Sequence, residues 1–356
     1  MKKILIIALL VINLTGCYGN SDINKLAYLM AIGIDNGEYT FQFANPINFV
    51  GKENGFGSDA EKSSLKTVTV SGDSLFEAFS VAQSRITKTI DTSYLKLLLF
   101  NKLYKNGNIG SDLRAIELSP NFHKDVYVAV CENSCKEFLE KITTPLEINP
   151  AKYYENIFNI RYNEYSSCVN LKSACNKYVI VPVVTKNKIA YKSAVVKDGM
   201  ITNITDMQDG KMYNIISGNL KEFGYFLKTP KCDLRLYSST KPMTKIDDKT
   251  VSVLFTYDCE VLENTLNTDM ATIKEAIKKQ LTANINDFYE KYYKEADCDL
   301  FYYKKLYKKK FLTNKDWDKF NSSVSPNQLN FKVTVEINSD RNGERIWKEK
   351  YIALLL

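Results

Sequence analysis

The hydrophobic pattern changes its period along the chain, which indicates a mixture of strands and helices. The apolar run LAYLMAIGID (26–35) and the alternating run YTFQF (39–43) are typical of strands, and the NG at 36–37 between them predicts a hairpin. After Gly72-Asp73-Ser74, apolar residues recur at three- and four-residue steps, which is the signature of an amphipathic helix. Strand and helix patterns alternate in this way to about residue 185, so the pattern predicts a mixed α/β domain.

The second half of the chain contains the clearest helix. Apolar residues recur at three- and four-residue steps through 270–292, and polar residues, many of them lysines, fill the opposite side. Asn267 or Thr268 is expected to cap its start, and Asp269 suits its first turn. We expect this helix to lie on a sheet that has FKVTVEI (331–337) as a late strand.

Two further segments carry strand signals. The runs 189–196 and 200–204 flank Asp198-Gly199 and predict a second hairpin. The run YVIVPVV (178–184) also predicts a strand. Since proline has no N–H to donate to a ladder, Pro182 is expected at a sheet edge or near the end of its strand.

The fold class predicted from these patterns is α+β. A chain of 356 residues exceeds one average domain, so we expect two to three mixed α/β domains, with mainly antiparallel or mixed sheets and helices packed on them. The predicted divisions are a signal peptide at 1–16, an N-terminal α/β domain at 17–188, a middle region at 189–250 and a C-terminal domain with the long helix at 251–356.

The N-terminus resembles that of a bacterial lipoprotein. Two lysines precede nine apolar residues (4–12), a run too short to span a bilayer and of signal-peptide length. It ends in LTGC (14–17), which is similar to a lipobox, the motif in which the cysteine thiol takes a diacylglyceryl group and the peptide is cut just before it. The resemblance implies that Cys17 is the lipid-attachment site and that the mature body is extracytoplasmic. An ordinary signal peptide with a chance cysteine is the alternative.

Composition narrows the function classes. A hydrophobic content of 45% excludes a disordered chain, and a net charge of +7 suits a surface beside anionic headgroups but is too mild to indicate nucleic acid. After Cys17, seven cysteines remain. The pairs Cys131/Cys135 and Cys168/Cys175 are either disulfides, which the compartment permits, or buried thiols, and neither has the spacing of a zinc site.

Candidate catalytic chemistry is sparse. His123 is the only histidine, so any triad or cysteine–histidine mechanism would need it, and its setting in SPNFHKD predicts an exposed loop. No phosphate-binding glycine motif is present. The sequence therefore predicts a protein that is not an enzyme, with no catalytic residue, no metal site and no cofactor.

The tract FYYKKLYKKKF (301–311) is the sharpest local feature. It has five lysines and no acid, and Tyr303, Tyr307 and Phe311 recur every four residues. One interpretation is a surface that contacts anionic headgroups or an acidic partner. The other is an amphipathic helix with core tyrosines and a solvated lysine face.

Three segments together resemble a known family. CYGNSDINKLAYLMAIGID (17–35) is similar to the start of the C-subunit lipoproteins of spore germinant receptors, the Ger(x)C family, whose Ala-x-Gly-Ile-Asp strand matches 31–35. The strand, turn, strand and helix at 193–219 and the late strand around 333–337 also look like that family. Tyr18-Gly19 departs from the Trp-Asp that is usual after the cysteine.

The resemblance implies a non-enzymatic receptor subunit. Such a protein would be held by lipid at Cys17 on the extracytoplasmic face of the spore inner membrane. It would act in spore germination beside two multi-pass membrane subunits, of A and B type, without nucleic acid. The alternative is an extracytoplasmic solute-binding or cell-envelope lipoprotein with a ligand cleft between its halves. A surface hydrolase is a third possibility, against which the single histidine argues.

Overall fold

The structure is a computed structural model that describes residues 25–44, 65–142, 150–159, 164, 169–185, 188–238 and 240–340. Several sequence predictions fall outside these residues. They are the signal peptide, the lipobox with Cys17, and Cys168.

Nine strands of the described chain form one mixed sheet, in the order β3-β2-β1-β5-β6-β7-β8-β9 with β4 beside β1. Its centre is parallel, since β1 pairs with β5, β5 with β6 and β6 with β7, whereas both flanks are antiparallel. The strands are β1 Leu26–Asp35, β2 Glu38–Ala44, β3 Leu65–Ser71, β4 Thr89–Asp91, β5 Leu97–Asn101, β6 Tyr127–Cys131, β7 Tyr178–Thr185, β8 Lys188–Lys197 and β9 Met200–Asp206.

Helices cover both faces of this sheet, because its central strands are apolar on both sides. On one face pack α1 and α2, and on the other α3 and α4, while α5 leads into β7. Their bounds are α1 Leu75–Arg85, α2 Gly110–Leu118, α3 Cys135–Lys141, α4 Pro150–Phe158 and α5 Leu171–Ala174.

A second sheet is built around one long strand. Its strands are β10 Glu222–Leu227, β11 Cys232–Tyr237, β12 Met243–Asp247, β13 Thr250–Asn264 and β14 Asn330–Asp340. Along β13, β12 pairs with its first residues and β11 with its last, both antiparallel, and β14 runs parallel to it. The helices of this half are α6 Met207–Ser217, α7 Met270–Tyr289, α8 Tyr303–Leu306 and α9 Asn314–Ser323.

The long helix lies on the second sheet as the pattern predicts. Its buried stripe repeats from Ile273 through Ile277, Leu281 and Ile285. The capping prediction was wrong by one or two residues: Asp269 is the N-cap, and its carboxylate accepts a hydrogen bond from the Thr272 N–H at 3.0 Å. Aspartate is among the strongest N-caps, which accounts for the choice.

Both hairpins are confirmed. The turn after β1 has Gly37 at a φ of 75°, and the turn after β8 has Asp198 at 52° and Gly199 at 78°. Two successive positive φ values are those of a type I′ turn, which matches the twist of the flanking strands.

The placement of Pro182 at an edge or strand end was wrong. It is the fifth residue of β7, an interior strand. Its missing N–H is tolerated because the ladder between β6 and β7 begins only at Val183, one residue after the proline. The division into domains at residues 188 and 250 stays a prediction.

Candidate functional site

A groove in the second half forms a large concave surface within the described part of the chain. Its volume is about 1080 Å³, and it lies between α6, the adjoining ends of β10, β11 and β13, and α7. The residues that line it include five carboxylates and three lysines, although the whole chain carries a net charge of +7. The groove is therefore locally acidic on a basic protein.

One wall of the groove is a polar stripe along α7. Gln280, Asn284, Asp287 and Lys291 recur at three- and four-residue steps, so they share one side of the helix and its continuation. The Gln280 side-chain amide donates to the Phe226 carbonyl at 3.2 Å, and the Asn284 amide donates to the Tyr225 hydroxyl at 3.0 Å. These bonds tie α7 to the β10 wall.

Two ion pairs line the groove. The Lys211 Nζ is 2.6 Å from the Glu164 carboxylate and also donates to the Gly224 carbonyl at 2.6 Å. Lys291 lies 2.6 Å from Asp209. Lys211 belongs to α6 and is only 8% exposed, so its charge is compensated by groups held within the fold.

Glu164 stands between α4 and α5 in the sequence, and its own contacts lie in the second half. Its carboxylate accepts from the Gly224 N–H at 3.0 Å, and its carbonyl accepts from the Asn214 side chain at 3.1 Å. With the Lys211 pair, one residue makes three contacts to α6 and β10.

The rim of the groove is shaped by a bulge in β13. Asp233 of β11 lies opposite Glu263, and Leu234 lies opposite Val261, so Leu262 is an extra residue. Bulges redirect side chains and occur often at functional surfaces. Leu262 is 51% exposed here and Phe226 on β10 is 53% exposed, so the rim presents two large apolar side chains.

The same rim places like charges together. Asp233 and Glu263 are direct cross-strand neighbours, an arrangement that destabilises a sheet by up to about 1 kcal/mol. Asp287 on α7 also lines the groove. These three carboxylates are exposed. Unlike Glu164 and Asp209, none of them forms an ion pair with a lysine within the described residues.

The groove is suited to binding. The described residues that line it include no serine, cysteine or histidine, so they offer none of the usual side chains of a nucleophile–histidine pair. Burial raises the pKa of Tyr225 to about 12, with a hydrogen bond from Gln280 acting in the opposite direction, so its hydroxyl is neutral at pH 7. The groups that the groove offers to a binding partner are exposed apolar side chains, carboxylates and hydrogen-bonding side chains.

The basic-aromatic tract lies elsewhere in the second half. It folds as α8 and a following 3₁₀ turn, Tyr307–Lys310. Tyr303 and Tyr307 are buried, as the interpretation of core tyrosines requires, and Lys305, Lys308 and Lys309 are exposed. We call residues 305–312 the lysine segment.

A buried carboxylate organises the start of this tract. Asp299 accepts hydrogen bonds from the Tyr303 and Lys304 N–H groups at 2.8 and 3.0 Å and from the Tyr293 hydroxyl at 3.0 Å. Burial raises its pKa, and these hydrogen bonds act against the rise. The Tyr289 and Tyr303 hydroxyls are 2.7 Å apart in the same cluster.

The remaining predicted residues do not converge on a site. His123 is exposed in the loop before β6. Cys131 and Cys135 are buried free thiols, and Cys175 is a half-buried free thiol, so the disulfide interpretation of the first pair is not realised. Among the described residues no group of three or more metal-binding side chains comes together, and no helix is long and apolar enough to cross a membrane.

Two family models match the chain in succession. "Spore germination protein N-terminal domain" matches residues 19–180, and "Spore germination B3/ GerAC like, C-terminal" matches residues 191–343. Together they leave little of the chain unmatched. The chain belongs to the Ger(x)C family of spore germination proteins.

Individual relatives agree with this assignment. Spore germination protein KC of Bacillus subtilis (strain 168) is 24% identical over 167 residues, which are 45% of this chain and 41% of that protein. The match therefore spans less than half the length of that relative. The crystal structure of the GerBC protein is similar with a TM-score of 0.53 and 12% identity, over 87% of this chain and 97% of that one. At this identity the second likeness supports the α+β fold alone.

Proposed function

We propose that this protein is a membrane-anchored lipoprotein subunit of a spore germinant receptor and that it acts without catalysis. The observation that carries the proposal is the combination of family membership over nearly the whole chain with a lipobox-like LTGC at 14–17. In this role Cys17 holds the protein at the membrane, and the folded body contacts the A- and B-type multi-pass subunits on the extracytoplasmic side.

The composition and exposure of the residues that line the groove support a binding role over a catalytic one. Its exposed Phe226 and Leu262 and its exposed carboxylates are features of a surface that meets another molecule. The lone histidine, His123, lies on a different element from the groove. A subunit that relays a signal by contact needs such surfaces and no reactive group.

The first test is purification of the tagged protein from gently solubilised spore membranes, followed by mass spectrometry. We expect two polytopic proteins in stable proportion to the tagged chain. Recovery of the lipidated chain alone, under conditions that keep other membrane complexes intact, would contradict the receptor role.

The anchor is tested separately with Cys17→Ala. We expect this variant to leave the membrane fraction or fall in abundance and to blunt germination. Cys175→Ala is the matched control, because it removes a half-buried thiol from a position that no anchor uses. Full membrane retention of Cys17→Ala would contradict the lipid anchor.

A second candidate is a solute-binding lipoprotein, for which the groove would be the ligand site. Small-molecule pockets are commonly about 300–1,000 Å³ and largely enclosed by apolar side chains. This groove, at about 1080 Å³ with an exposed, charged rim, fits a macromolecular surface better. A thermal shift of the purified chain with amino acids or sugars, absent other subunits, would favour the solute-binding alternative.

A further inference from the structure

The two most unusual surfaces of the second half are complementary to each other. The groove combines exposed Phe226 and Leu262 with the carboxylates of Asp233, Glu263 and Asp287. The lysine segment combines exposed lysines with exposed leucines, of which Leu306 is 40% and Leu312 is 103% exposed. An apolar and acidic concavity therefore exists on the same chain as an apolar and basic projection.

These surfaces cannot meet within one molecule. The lysine segment is held beside β12, since the Lys310 Nζ donates to the Ile246 carbonyl at 3.0 Å, and Ile246 pairs with Val251 at the start of β13. The groove lies at the other end of β13, at Leu262 and Glu263. Twelve residues of strand separate the two points, which is about 40 Å at the usual rise.

We propose that the lysine segment of one copy of this chain docks in the groove of a second copy. In this contact Leu312 packs against the apolar pair on the rim, and Lys308 and Lys309 face Asp233 and Glu263. The incoming ammonium groups relieve the repulsion between the two opposed carboxylates. The like-charged cross-strand pair is therefore less unfavourable in the docked state than in the free chain. This inference goes beyond the proposed function and does not depend on it.

The contact is head-to-tail, because the two surfaces are different and lie near opposite ends of one strand, β13. A heterologous contact of this kind leaves a free groove and a free lysine segment at the two ends of a dimer. Association therefore continues into chains or closes into a ring, instead of stopping at a symmetric dimer. This property permits a test that distinguishes the proposed contact from nonspecific association of charged surfaces.

The test uses the full chain in mild detergent and sedimentation velocity over a concentration series. The wild type should associate at about 0.1 M salt and dissociate at about 1 M, where screening is much stronger. The variant Lys308→Gln/Lys309→Gln removes the basic partner, and Asp233→Asn/Glu263→Gln removes the acidic one. Each should weaken association by about tenfold or more.

The decisive sample is a mixture of these two variants. One retains an intact groove and the other an intact lysine segment, so the mixture should form a one-to-one pair and nothing larger. The swap of all four charges, Lys308→Glu, Lys309→Glu, Asp233→Lys and Glu263→Lys, should restore self-association. The control is Lys66→Gln/Lys172→Gln, which removes two exposed lysines from the first half and should leave association at the wild-type level.

Several outcomes would overturn the proposal. One is a wild type that stays monomeric at low salt and high concentration, and another is a mixture of the two variants that does not pair. A third concerns the membrane: if Lys308→Gln/Lys309→Gln abolishes binding to phosphatidylglycerol vesicles while self-association persists, the lysine segment is a lipid surface instead. Circular dichroism of each variant confirms that its fold is retained.

Discussion

The ion pair between Glu164 and Lys211 is predicted to make a large contribution to the joining of the two halves. The change Glu164→Gln keeps the shape of the side chain and its hydrogen-bond acceptor for the Gly224 N–H, but removes the charge that faces Lys211. The effect of the substitution therefore isolates the electrostatic part of the contact.

Its magnitude follows from the exposure of the two side chains. The side chain of Lys211 is 11% exposed and that of Glu164 is 33% exposed, each value counting side-chain atoms alone, with 2.6 Å between the charged atoms. Exposed ion pairs contribute about 0–1 kcal/mol, whereas removal of one partner from a buried pair costs about 3–5 kcal/mol. A pair with one buried and one partly exposed partner lies between these limits, so we expect a loss of about 2 kcal/mol in the free energy of unfolding.

The assay is urea unfolding followed by tryptophan fluorescence, since Trp317 is buried in the second half. The control is Glu155→Gln, whose pair with Lys96 is 3.9 Å long and lies between side chains that are 31% and 52% exposed. We expect it to change stability by less than about 0.5 kcal/mol. Equal effects of the two substitutions would refute the reasoning. Adding Lys211→Met to Glu164→Gln should recover part of the loss, because it removes the uncompensated charge.

Three further predictions concern single positions. In Gly33→Ala the new methyl group would lie 2.8 Å from the Cys135 Cβ, so urea unfolding should show a loss of about 1–3 kcal/mol. Tyr289→Phe removes the 2.7 Å contact with the Tyr303 hydroxyl and should cost about 1 kcal/mol in the same assay. Burial raises the pKa of Cys175 to about 12 from a usual 9.0, so at pH 8 its thiolate is roughly a thousandfold scarcer than in the unfolded chain. Iodoacetamide should therefore react slowly with Cys175 until urea unfolds the chain.

The first two of these predictions have control substitutions, and the third has an expected pH dependence. Gly224→Ala, where the nearest atom would be 4.0 Å away, should cost less than Gly33→Ala. Tyr94→Phe, at a ring that is 48% exposed, should be close to neutral. The stability that comes from burying the neutral Cys175 thiol is complete below its usual pKa of 9.0 and is lost as pH rises through about 12. Below about pH 12 the thiolate fraction of the folded chain, and with it the rate of alkylation, should rise about tenfold per pH unit. Fast alkylation at pH 8 in the folded chain would contradict its burial.

Local signals in the sequence were sufficient for most of the elements. The turn at Asn36-Gly37 and the stripe that begins at Ile273 are read from neighbouring residues, and both formed as predicted. Pro182 was misplaced because its tolerance depends on where β6 begins to pair with β7, which is a contact between residues about 50 positions apart. Long-range register is not encoded in any short window.

The groove was not predicted from the sequence for the same reason. Its rim depends on the bulge at Leu262, and one of its ion pairs joins α6 to Glu164, a residue distant in the sequence. One signal was available: Gln280, Asn284 and Asp287 form a polar stripe on α7 that begins after the last lysine of that helix, Lys279. Such a stripe does not identify β10, the strand to which Gln280 and Asn284 bond.

Anchoring and head-to-tail association should strengthen each other. Eight residue spacings separate Cys17 from Lys25, where the described body begins, so a lipid at Cys17 would hold the body within about 28 Å of the bilayer. Exposed charge pairs contribute only about 0.2–1 kcal/mol each, so the contact between copies is weak in dilute solution. Confinement to one surface raises the effective concentration toward the millimolar range, where weak contacts become populated. Energy transfer between labelled copies in vesicles should therefore exceed that in detergent and should fall in Cys17→Ala, whose groove and lysine segment are intact. Equal transfer for the wild type and Cys17→Ala in vesicles would show that the anchor does not promote the contact.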